Sequence, residues 1–318
     1  MYSLLSDVGG LAYGEQMNLN LSEESLALIA LLQEEGARWA TVRASLESGA
    51  SPSALLREQL HSMLVSDEFD AAIGAALIQV QDWQRQGLIV STLFEDSYPR
   101  QLLTVHDFPP VLFARGQFRE DDYSSVAIVG TREPSEGALR FIDELTNHLA
   151  EANVPIVSGL ARGVDTAAIK GSLRSANRTI GVIGTGLNKY YPKENVALQD
   201  ELAHDHLVIS QFWPDAPPTR QSFPMRNHVM SAFASVTVIV EASEKSGTRI
   251  QARAAVKHGR PLVLTRAVVT ATKWGRDLVS EGRDVRVVSN AAEALRAVQD
   301  AQRASFEVRP VTPLGVFA

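Results

Sequence analysis

The sequence predicts an α/β protein with a doubly wound, mostly parallel sheet that is preceded by a small helical domain. From residue 126 onward, short apolar runs alternate with stretches of helical period. The apolar runs show little polar alternation, which is typical of strands covered by helices on both faces. Turns rich in small residues follow four of the predicted strands. In a parallel sheet, this carboxyl edge is where ligands bind.

The 318 residues are enough for one large and one smaller domain. We expect the regions to follow one another as a leader, a helical domain, a connector, a sheet domain and an irregular tail. Their predicted bounds are 1–20, 21–87, 88–125, 126–303 and 304–318.

Composition excludes several classes of protein. The chain has no cysteine, so disulfides, thiolate catalysis and cysteine-ligated metals are excluded. The first residues lack a basic and apolar signal pattern, and no apolar run approaches the roughly 20 residues of a membrane helix. We therefore expect a soluble cytoplasmic protein. The seven histidines show no metal-ligand spacing apart from His204 and His206, which flank a predicted strand. We expect neither a metal nor a cofactor.

The helical front is acidic. Residues 1–125 carry a net charge of −11, whereas residues 126–318 carry +4. Ser22 resembles a helix cap, and an apolar stripe follows it at helical spacing. Because of the charge, packing or protein contacts are a better explanation for this region than DNA contact. The connector that follows is predicted to be an extended segment held by prolines.

The sheet domain is predicted to contain seven strands with helices between them. The predicted strands are 126–129, 154–158, 179–183, 206–210, 236–240, 261–264 and 285–288. The predicted helices are 136–151, 164–175, 194–204, 226–234, 248–258 and 291–302.

The first turn follows the strand at 126–129. Gly130 ends that strand, and Thr131 or Ser135 can cap the following helix, with Pro134 in its first turn. The start of such a helix attracts anions, and Arg132 stands beside it. These residues predict one half of a phosphate-binding edge. A purely structural turn is an equal alternative.

The second turn follows the strand at 154–158. Gly159 and Gly163 permit close backbone approach, and Arg162 carries a guanidinium group suited to phosphate. Asp165 begins the next helix. The alternative is that Asp165 only caps this helix and that Arg162 pairs with a surface carboxylate.

The third turn, residues 184–195, combines small residues with lysines and tyrosines. Lysine can meet a phosphate backbone, and a tyrosine face can stack on a base. We expect one of Tyr190 and Tyr191 to lie in a minor core with Pro192. The candidate site residues of this turn are Gly184, Gly186, Lys189, Tyr191, Lys193 and Asn195.

Two further segments add candidates. Residues 222–228 contribute Arg226 and Asn227, although Asn227 could equally cap a helix. Ser246, Gly247 and Thr248 follow another strand and would form a second anion seat at a helix start, with a simple capped helix as the alternative. Four such turns at one sheet edge would build a basic, glycine-lined groove.

Other motifs are missing. There is no Gly-x-Ser-x-Gly elbow and no Walker loop. The first turn lacks Gly-x-Gly-x-x-Gly spacing, and no acidic residue clearly ends the second strand, which argues against a nicotinamide dehydrogenase.

In this order, the turns resemble the DNA-processing protein A (DprA/Smf) family over about residues 90 to 265. The matching segments are 126–132, 157–165, 184–195, 223–227 and 240–248, and the lead-in matches at 96–102 and 108–116. The resemblance implies an extended Rossmann-like domain that is not an enzyme. It also implies binding of single-stranded DNA, transfer of that DNA to a RecA-type recombinase in natural transformation, and a homodimer.

Carried onto matching positions, the resemblance implies that Arg132, Arg162, Lys193 and Arg226 contact phosphates. The groove would be shaped by Gly130, Gly159, Gly163, Gly184, Gly186, Asn195, Ser246, Gly247 and Thr248.

The chain departs from the family pattern in several places. Gln211 stands where the family has Glu, and Thr265-Arg-Ala267 stands where it has Pro-Gly. We expect no C-terminal winged helix, and thus a shortened or divergent member. Two other functions remain open: a nucleotide-sensing module, and a nucleoside-monophosphate phosphoribohydrolase. The second is disfavoured because Gln251 stands where such an enzyme needs a carboxylate.

Overall fold

The computed structural model describes residues 21–34, 37–60 and 66–308. The predicted leader lies outside the described residues. The chain divides between Val90 and Ser91 into two compact units. No helix in the described part of the chain is both long enough and apolar enough to cross a membrane.

The first unit is helical, as predicted. Its helices are α1 (Glu23–Gln33), α2 (Trp39–Glu47), α3 (Pro52–Gln59) and α4 (Ser66–Arg85). Ser22 caps α1 by accepting a hydrogen bond from the Ser25 amide at 3.2 Å. Helix α1 packs against α3 and α4, which buries apolar side chains around most of its circumference. The Glu24 carboxylate links α1 to α3 by accepting bonds from the amide and hydroxyl of Ser53.

The second unit contains strands β2 to β9 of the sheet, and β1 spans the division between the two units. The strands are β1 (Ile89–Thr92), β2 (Val111–Gly116), β3 (Val126–Val129), β4 (Ile156–Ser158), β5 (Thr179–Val182), β6 (Leu207–Ser210), β7 (Val236–Ile239), β8 (Leu262–Thr265) and β9 (Val285–Val288). Their order across the sheet is β1-β2-β6-β5-β4-β3-β7-β8-β9. Strands β3 to β9 are parallel to one another, and β2 is antiparallel to β6.

Helices connect the parallel strands, and one more helix, α12, follows the last strand. They are α5 (Glu136–Glu151), α6 (Val164–Arg174), α7 (Val196–Asp205), α8 (Ser222–Phe233), α9 (Thr248–Lys257), α10 (Arg266–Ala271), α11 (Lys273–Ser280) and α12 (Ala291–Val308). Apolar side chains of α5, α6 and α12 pack with those of the central strands in one buried cluster. The predicted doubly wound, Rossmann-like architecture is confirmed.

The structure differs from the sequence prediction in five elements. Part of the predicted connector is strand β2, whose residues Val111 to Ala114 are buried beside β6. Helix α8 begins four residues earlier than predicted. Two short helices, α10 and α11, begin at the threonine caps Thr265 and Thr272 and were not predicted. Helix α12 continues to Val308, so residues 304–308 are helical rather than irregular.

A buried ion pair fixes the segment that leads into the sheet. Arg178, just before β5, donates to both carboxylate oxygens of Asp122 at 2.8 and 3.0 Å. The two side chains are only 4% and 3% exposed. Asp122 also accepts a bond from the Arg119 amide at 2.9 Å. Removing the carboxylate would leave the Arg178 charge buried without its partner.

Replacing Asp122 by Ala is therefore expected to lower the free energy of unfolding by about 3–5 kcal/mol. Urea denaturation followed by circular dichroism measures this loss. Asp121→Ala is the matched control, because Asp121 is exposed and adjacent in sequence. A loss below about 1 kcal/mol in Asp122→Ala would contradict the role assigned to the pair.

Candidate functional site

Three of the predicted turns meet where the chain reverses direction across the sheet. Strand β3 lies between β4 and β7, so the turns that follow these three strands share one edge. The Thr131 amide donates to the Glu241 carbonyl at 2.7 Å, and the Val164 amide donates to the Thr131 carbonyl at 3.1 Å. Backbone hydrogen bonds therefore hold these turns together.

This close approach requires glycine at particular positions. Gly163 has φ 79° and ψ −122°, and a Cβ there would lie 2.6 Å from the Arg132 Cα. A Cβ at Gly130 would lie 2.5 Å from Val164 Cγ2 and 2.8 Å from the Glu241 carbonyl oxygen. All three distances are too short for real Cβ contacts. A larger residue at either position would therefore push the turns apart.

The turns enclose one side of a cavity of about 390 Å³. Helix α8 forms the facing side. The cavity is lined by Val129, Gly130, Thr131, Arg132, Ala161, Asp165, Phe223, Pro224, Arg226, Asn227, Met230, Ser243, Ser246, Gly247, Thr248, Ile250 and Gln251. The structure thus brings together the predicted residues of the first turn, of α8 and of the turn after β7.

The third turn extends this edge without lining the cavity. The Asn195 side-chain amide donates to the Leu160 carbonyl at 2.9 Å, and Arg162 Nε donates to Glu194. The Tyr191 ring lies 5.0 Å from that of Phe223, between centroids. We call residues 130–132, 159–163, 184–195 and 246–248 the rim.

One end of the third turn points away from the cavity. Gly186 packs against the backbone of Trp213 and Pro214, where a Cβ would overlap both carbonyl oxygens. Lys189 Nζ lies 3.4 Å from Asp215 Oδ1. Gly186 and Lys189 therefore contact the 213–215 loop rather than the cavity.

The expectation that one of the two tyrosines is a core residue is wrong. Tyr190 is 36% exposed and Tyr191 is 42% exposed. The Tyr190 hydroxyl donates to Asp200 Oδ1 at 2.7 Å, which holds its ring at the surface. Pro192 alone is buried. The rim consequently carries a partly exposed aromatic side chain, Tyr191.

Arg226 is a buried structural arginine as well as a cavity residue. Its Nη1 donates to the Gly159 carbonyl and, at 2.8 Å, to the Val182 carbonyl. Its Nε donates to Asn227 Oδ1 at 3.0 Å. Asn227 lies within α8, so the alternative in which it caps a helix is wrong. Arg226 ties the turn after β4 to α8 and brings positive charge to the cavity wall.

Asp165 is the carboxylate beside this guanidinium. Burial raises the pKa of Asp165 to about 6, although the charge of Arg226 and the backbone amides of Ala161 and Gly159 act in the opposite direction. Burial lowers the pKa of Arg226, and Asp165 opposes that shift. The alternative that Asp165 only caps a helix does not fit, because Gly163 is the cap residue of α6.

The free helix starts expected as anion seats are largely satisfied within the chain. The Glu241 carboxylate accepts bonds from the Ser135 amide at 2.8 Å and from its hydroxyl at 3.0 Å. Ser135 in turn caps α5, which begins after Pro134. The Thr248 amide donates to Ser246 Oγ at 3.1 Å. Attraction for an anion therefore comes mainly from the side-chain cations of the site.

Those cations differ in how they are paired. Arg132 and Lys193 are exposed and form no ion pair with any residue that the structure describes. Arg162 pairs with Glu194, and this interaction raises the pKa of Arg162. The alternative in which Arg162 pairs with a surface carboxylate is thus the arrangement observed.

Gln251 is an unexpected cavity residue. Gln251 is only 1% exposed. Neither the nitrogen nor the oxygen of its side-chain amide has a hydrogen-bond partner within the described chain. Buried polar atoms in native proteins nearly always have hydrogen-bond partners. The Gln251 amide nitrogen can therefore donate to a ligand, and its amide oxygen can accept from one. Sequence reasoning considered Gln251 only as a missing carboxylate.

Two supporting residues also escaped sequence reasoning. Arg115 of β2 donates to the Leu187 carbonyl at 3.2 Å and to Asn188 Oδ1 at 2.9 Å, which fixes the third turn. Phe223 packs beside Gly184, where a Cβ would lie 2.8 Å from its ring. If β2 had been predicted as a strand, Arg115 near its end would have been a candidate for contact with the third turn. Phe223 lies in the matching segment 223–227, but the sequence did not indicate that it packs against Gly184.

Known proteins similar to this chain share the segment that forms the sheet. The family model described as DNA recombination-mediator protein A matches residues 89–301. The DNA processing protein DprA of Streptococcus pneumoniae is 34% identical over 203 residues, which are 61% of this chain and 72% of that protein. The Bacillus subtilis DprA is 32% identical over 205 residues, covering 64% of this chain and 69% of that protein.

Solved structures show the same similarity. The X-ray structure of S. pneumoniae DprA matches with a TM-score of 0.65 and 26% identity, covering 87% of this chain and 98% of that one. A structure describing the single-stranded DNA binding mode of Helicobacter pylori DNA processing protein A matches with a TM-score of 0.58 and 29% identity. It covers 66% of this chain and 96% of that one.

The requirement for glycine at 163 is testable by comparison with Gly259. Both have positive φ, but a Cβ at Gly259 meets nothing within 4 Å. Gly259→Ala is expected to cost about 1–2 kcal/mol through backbone strain alone. Gly163→Ala is expected to cost about 1–3 kcal/mol more, because its Cβ overlaps the first turn. Urea denaturation measures both losses, and equal losses would contradict the packing described.

Proposed function

The chain belongs to the DNA recombination-mediator protein A family, the DprA proteins, and from this membership we propose that its rim binds single-stranded DNA without sequence specificity. The observation that supports this most is that Arg132 and Lys193 lie on the rim, both exposed and both without an ion-pair partner among the residues that the structure describes. The solved structure of the relative from H. pylori is described in terms of its single-stranded DNA binding mode.

The charge arrangement suits a polyanion. Arg132 lies on the first turn and Lys193 on the third. Arg226 contributes its charge from a buried position in the cavity wall. Non-specific binding to nucleic acid is driven by neutralising phosphates and releasing their counterions. The excess of positive charge in residues 126–318 is consistent with this, although the whole chain is acidic. Charge at the rim decides binding here, and total charge does not.

The aromatic surface suits unpaired bases. Tyr191 exposes its ring next to Phe223, on the same rim as Lys193. Stacking of a base on an aromatic side chain contributes about 1–3 kcal/mol and tolerates any base. A duplex hides its base faces, so this contact favours single strands.

The cavity beneath the rim suits part of a nucleotide. Its volume of about 390 Å³ is in the range of small-molecule sites. Gln251 supplies an unpartnered donor and acceptor to its wall. This feature also favours a second candidate function, binding of a free nucleotide as a sensing module. The hydrolase alternative is weaker, because Gln251 cannot act as a general base.

We further propose that the protein acts in the cytoplasm as a homodimer and is not an enzyme. It would pass bound DNA to a RecA-type recombinase during DNA uptake and recombination. This proposal is supported by membership in a family described as recombination mediators.

Binding of oligo-dT is expected to weaken as salt rises, with a log–log slope of about −0.7 per neutralised phosphate. Arg132→Ala and Lys193→Ala should each weaken binding and make the slope less steep by close to one such contact. Fluorescence anisotropy at several salt concentrations measures both quantities.

Lys170→Ala is the matched control, because Lys170 is an exposed lysine of α6 that lies outside the rim. Its affinity and slope should match those of the unmodified protein. Unchanged affinity and slope in both rim variants would refute the proposed interface.

Affinity for oligo-dT is also expected to depend on pH through Asp165, whose pKa is about 6. Below this pKa the carboxyl is neutral, so Arg226 and Arg132 act on phosphate without an opposing charge. Affinity should therefore rise as pH falls from about 7.5 to about 5, by up to about tenfold if phosphate shifts this pKa by one unit.

Asp165→Asn removes this titration with little change in shape. The affinity of this variant should vary less with pH than that of the unmodified protein. Any pH dependence that remains in the variant then reports on other groups. An identical pH dependence in Asp165→Asn and the unmodified protein would show that Asp165 does not govern binding.

A further inference from the structure

Asp107, His228 and His258 form a cluster on the side of α8 that is outside the cavity. Asp107 lies in the loop before β2, His228 lies in α8, and His258 is the residue that ends α9. Asp107 Oδ2 lies 2.7 Å from His228 Nδ1, and Asp107 Oδ1 lies 2.7 Å from His258 Nε2. The three potential ligand atoms are within 4.8 Å of one another.

We propose that this cluster is a binding site for a divalent transition-metal ion of the Zn²⁺ type. Two imidazole nitrogens and one carboxylate are ligands that Zn²⁺ commonly takes. Sequence spacing gave no sign of this site, because its ligands come from three distant segments and meet only in the fold.

Binding an ion requires the three ligand atoms, which now lie within 4.8 Å of one another, to move to tetrahedral spacing. Bonds of about 2.0 Å in a tetrahedral site place neighbouring ligand atoms about 3.3 Å apart. The two histidines now contact different oxygens of Asp107, each at 2.7 Å, so the carboxylate would turn as the ion replaces these two hydrogen bonds. The burial of His258, whose side chain is 0% exposed, limits its motion, whereas His228 and Asp107 are partly exposed and can adjust.

A hydrogen bond outside the cluster orients one imidazole for metal binding. His258 Nδ1 lies 3.1 Å from Ser231 Oγ, and this leaves Nε2 directed at the cluster. When Nε2 binds an ion, the ring proton stays on Nδ1 and is donated to Ser231. A metal-bound histidine typically has such a partner for its other nitrogen.

The charge at the cluster also suits a cation. Asp107 brings a carboxylate to the cluster, and this carboxylate already contacts both imidazoles through hydrogen bonds. Lys257 Nζ lies 3.4 Å from Asp107 Oδ2, and its side chain is 54% exposed, so it can move into solvent as an ion enters.

Either of two groups could supply the fourth ligand of the ion. His106 Nε2 lies 3.7 Å from Asp107 Oδ2, and water can enter from the exposed side of His228. A bound ion would join the loop before β2 to α8 and α9. Since α8 also carries Arg226 and Asn227, the ion would stiffen the helix that forms one wall of the cavity.

The test uses the full chain, stripped of metal with a chelator and titrated with Zn²⁺ against a chromophoric indicator. We expect one Zn²⁺ per chain. Asp107→Asn and His228→Gln should each weaken binding by at least about tenfold. Zn²⁺ should raise the thermal unfolding midpoint of the unmodified protein, and it should do so less in either variant.

His204→Ala is the matched control, since His204 also contacts an aspartate, Asp205, but its side chain is 85% exposed at the surface. Its Zn²⁺ affinity should be unchanged. Circular dichroism checks that each variant is folded, and partly exposed His228 gives the decisive variant if Asp107→Asn does not fold. The proposal is overturned if the unmodified protein binds no stoichiometric Zn²⁺, if His228→Gln binds as tightly as the unmodified protein, or if His204→Ala loses as much affinity.

Discussion

The close approach of three backbone turns at the reversal point of the sheet is the constraint on which the site depends. Gly130 and Gly163 allow the first and second turns to touch, and Gly159 leaves room for the buried Arg226 guanidinium. Arg226 then binds carbonyl groups of the β4 turn and of β5 from its place on α8. The cavity exists because these contacts hold a helix over a glycine-lined edge.

Charge is arranged in two layers around this edge. The inner layer, Asp165 and Arg226, is buried and mutually compensating, so it costs less than either charge would alone. The outer layer, Arg132 and Lys193, is exposed and without carboxylate partners in the described chain. An acidic protein can therefore present a locally basic surface to a polyanion. The inner layer sets the shape and the outer layer supplies the net attraction.

Sequence reasoning predicted the parallel strands and the convergence of their turns, because apolar runs and glycines following strands are local signals. It could not predict side-chain direction or distant partners. Arg226 and Asn195 turned out to hold the turns together, and Glu241, in the turn after β7, was found to accept hydrogen bonds from Ser135, the residue that caps α5. Strand β2 was missed because its partner β6 lies far along the chain. The cluster of Asp107, His228 and His258 was missed for the same reason, because only the fold brings these residues together.

The central claim is that the rim holds an extended single strand rather than a single nucleotide. A fluorescence-anisotropy titration comparing labelled oligo-dT with duplex DNA and with mononucleotides as competitors, at low and high salt, tests it most directly. Oligo-dT should bind most tightly, salt should weaken its binding, and mononucleotides should compete only at far higher concentration. Equal competition by a mononucleotide, or binding of oligo-dT that salt does not change, would contradict it.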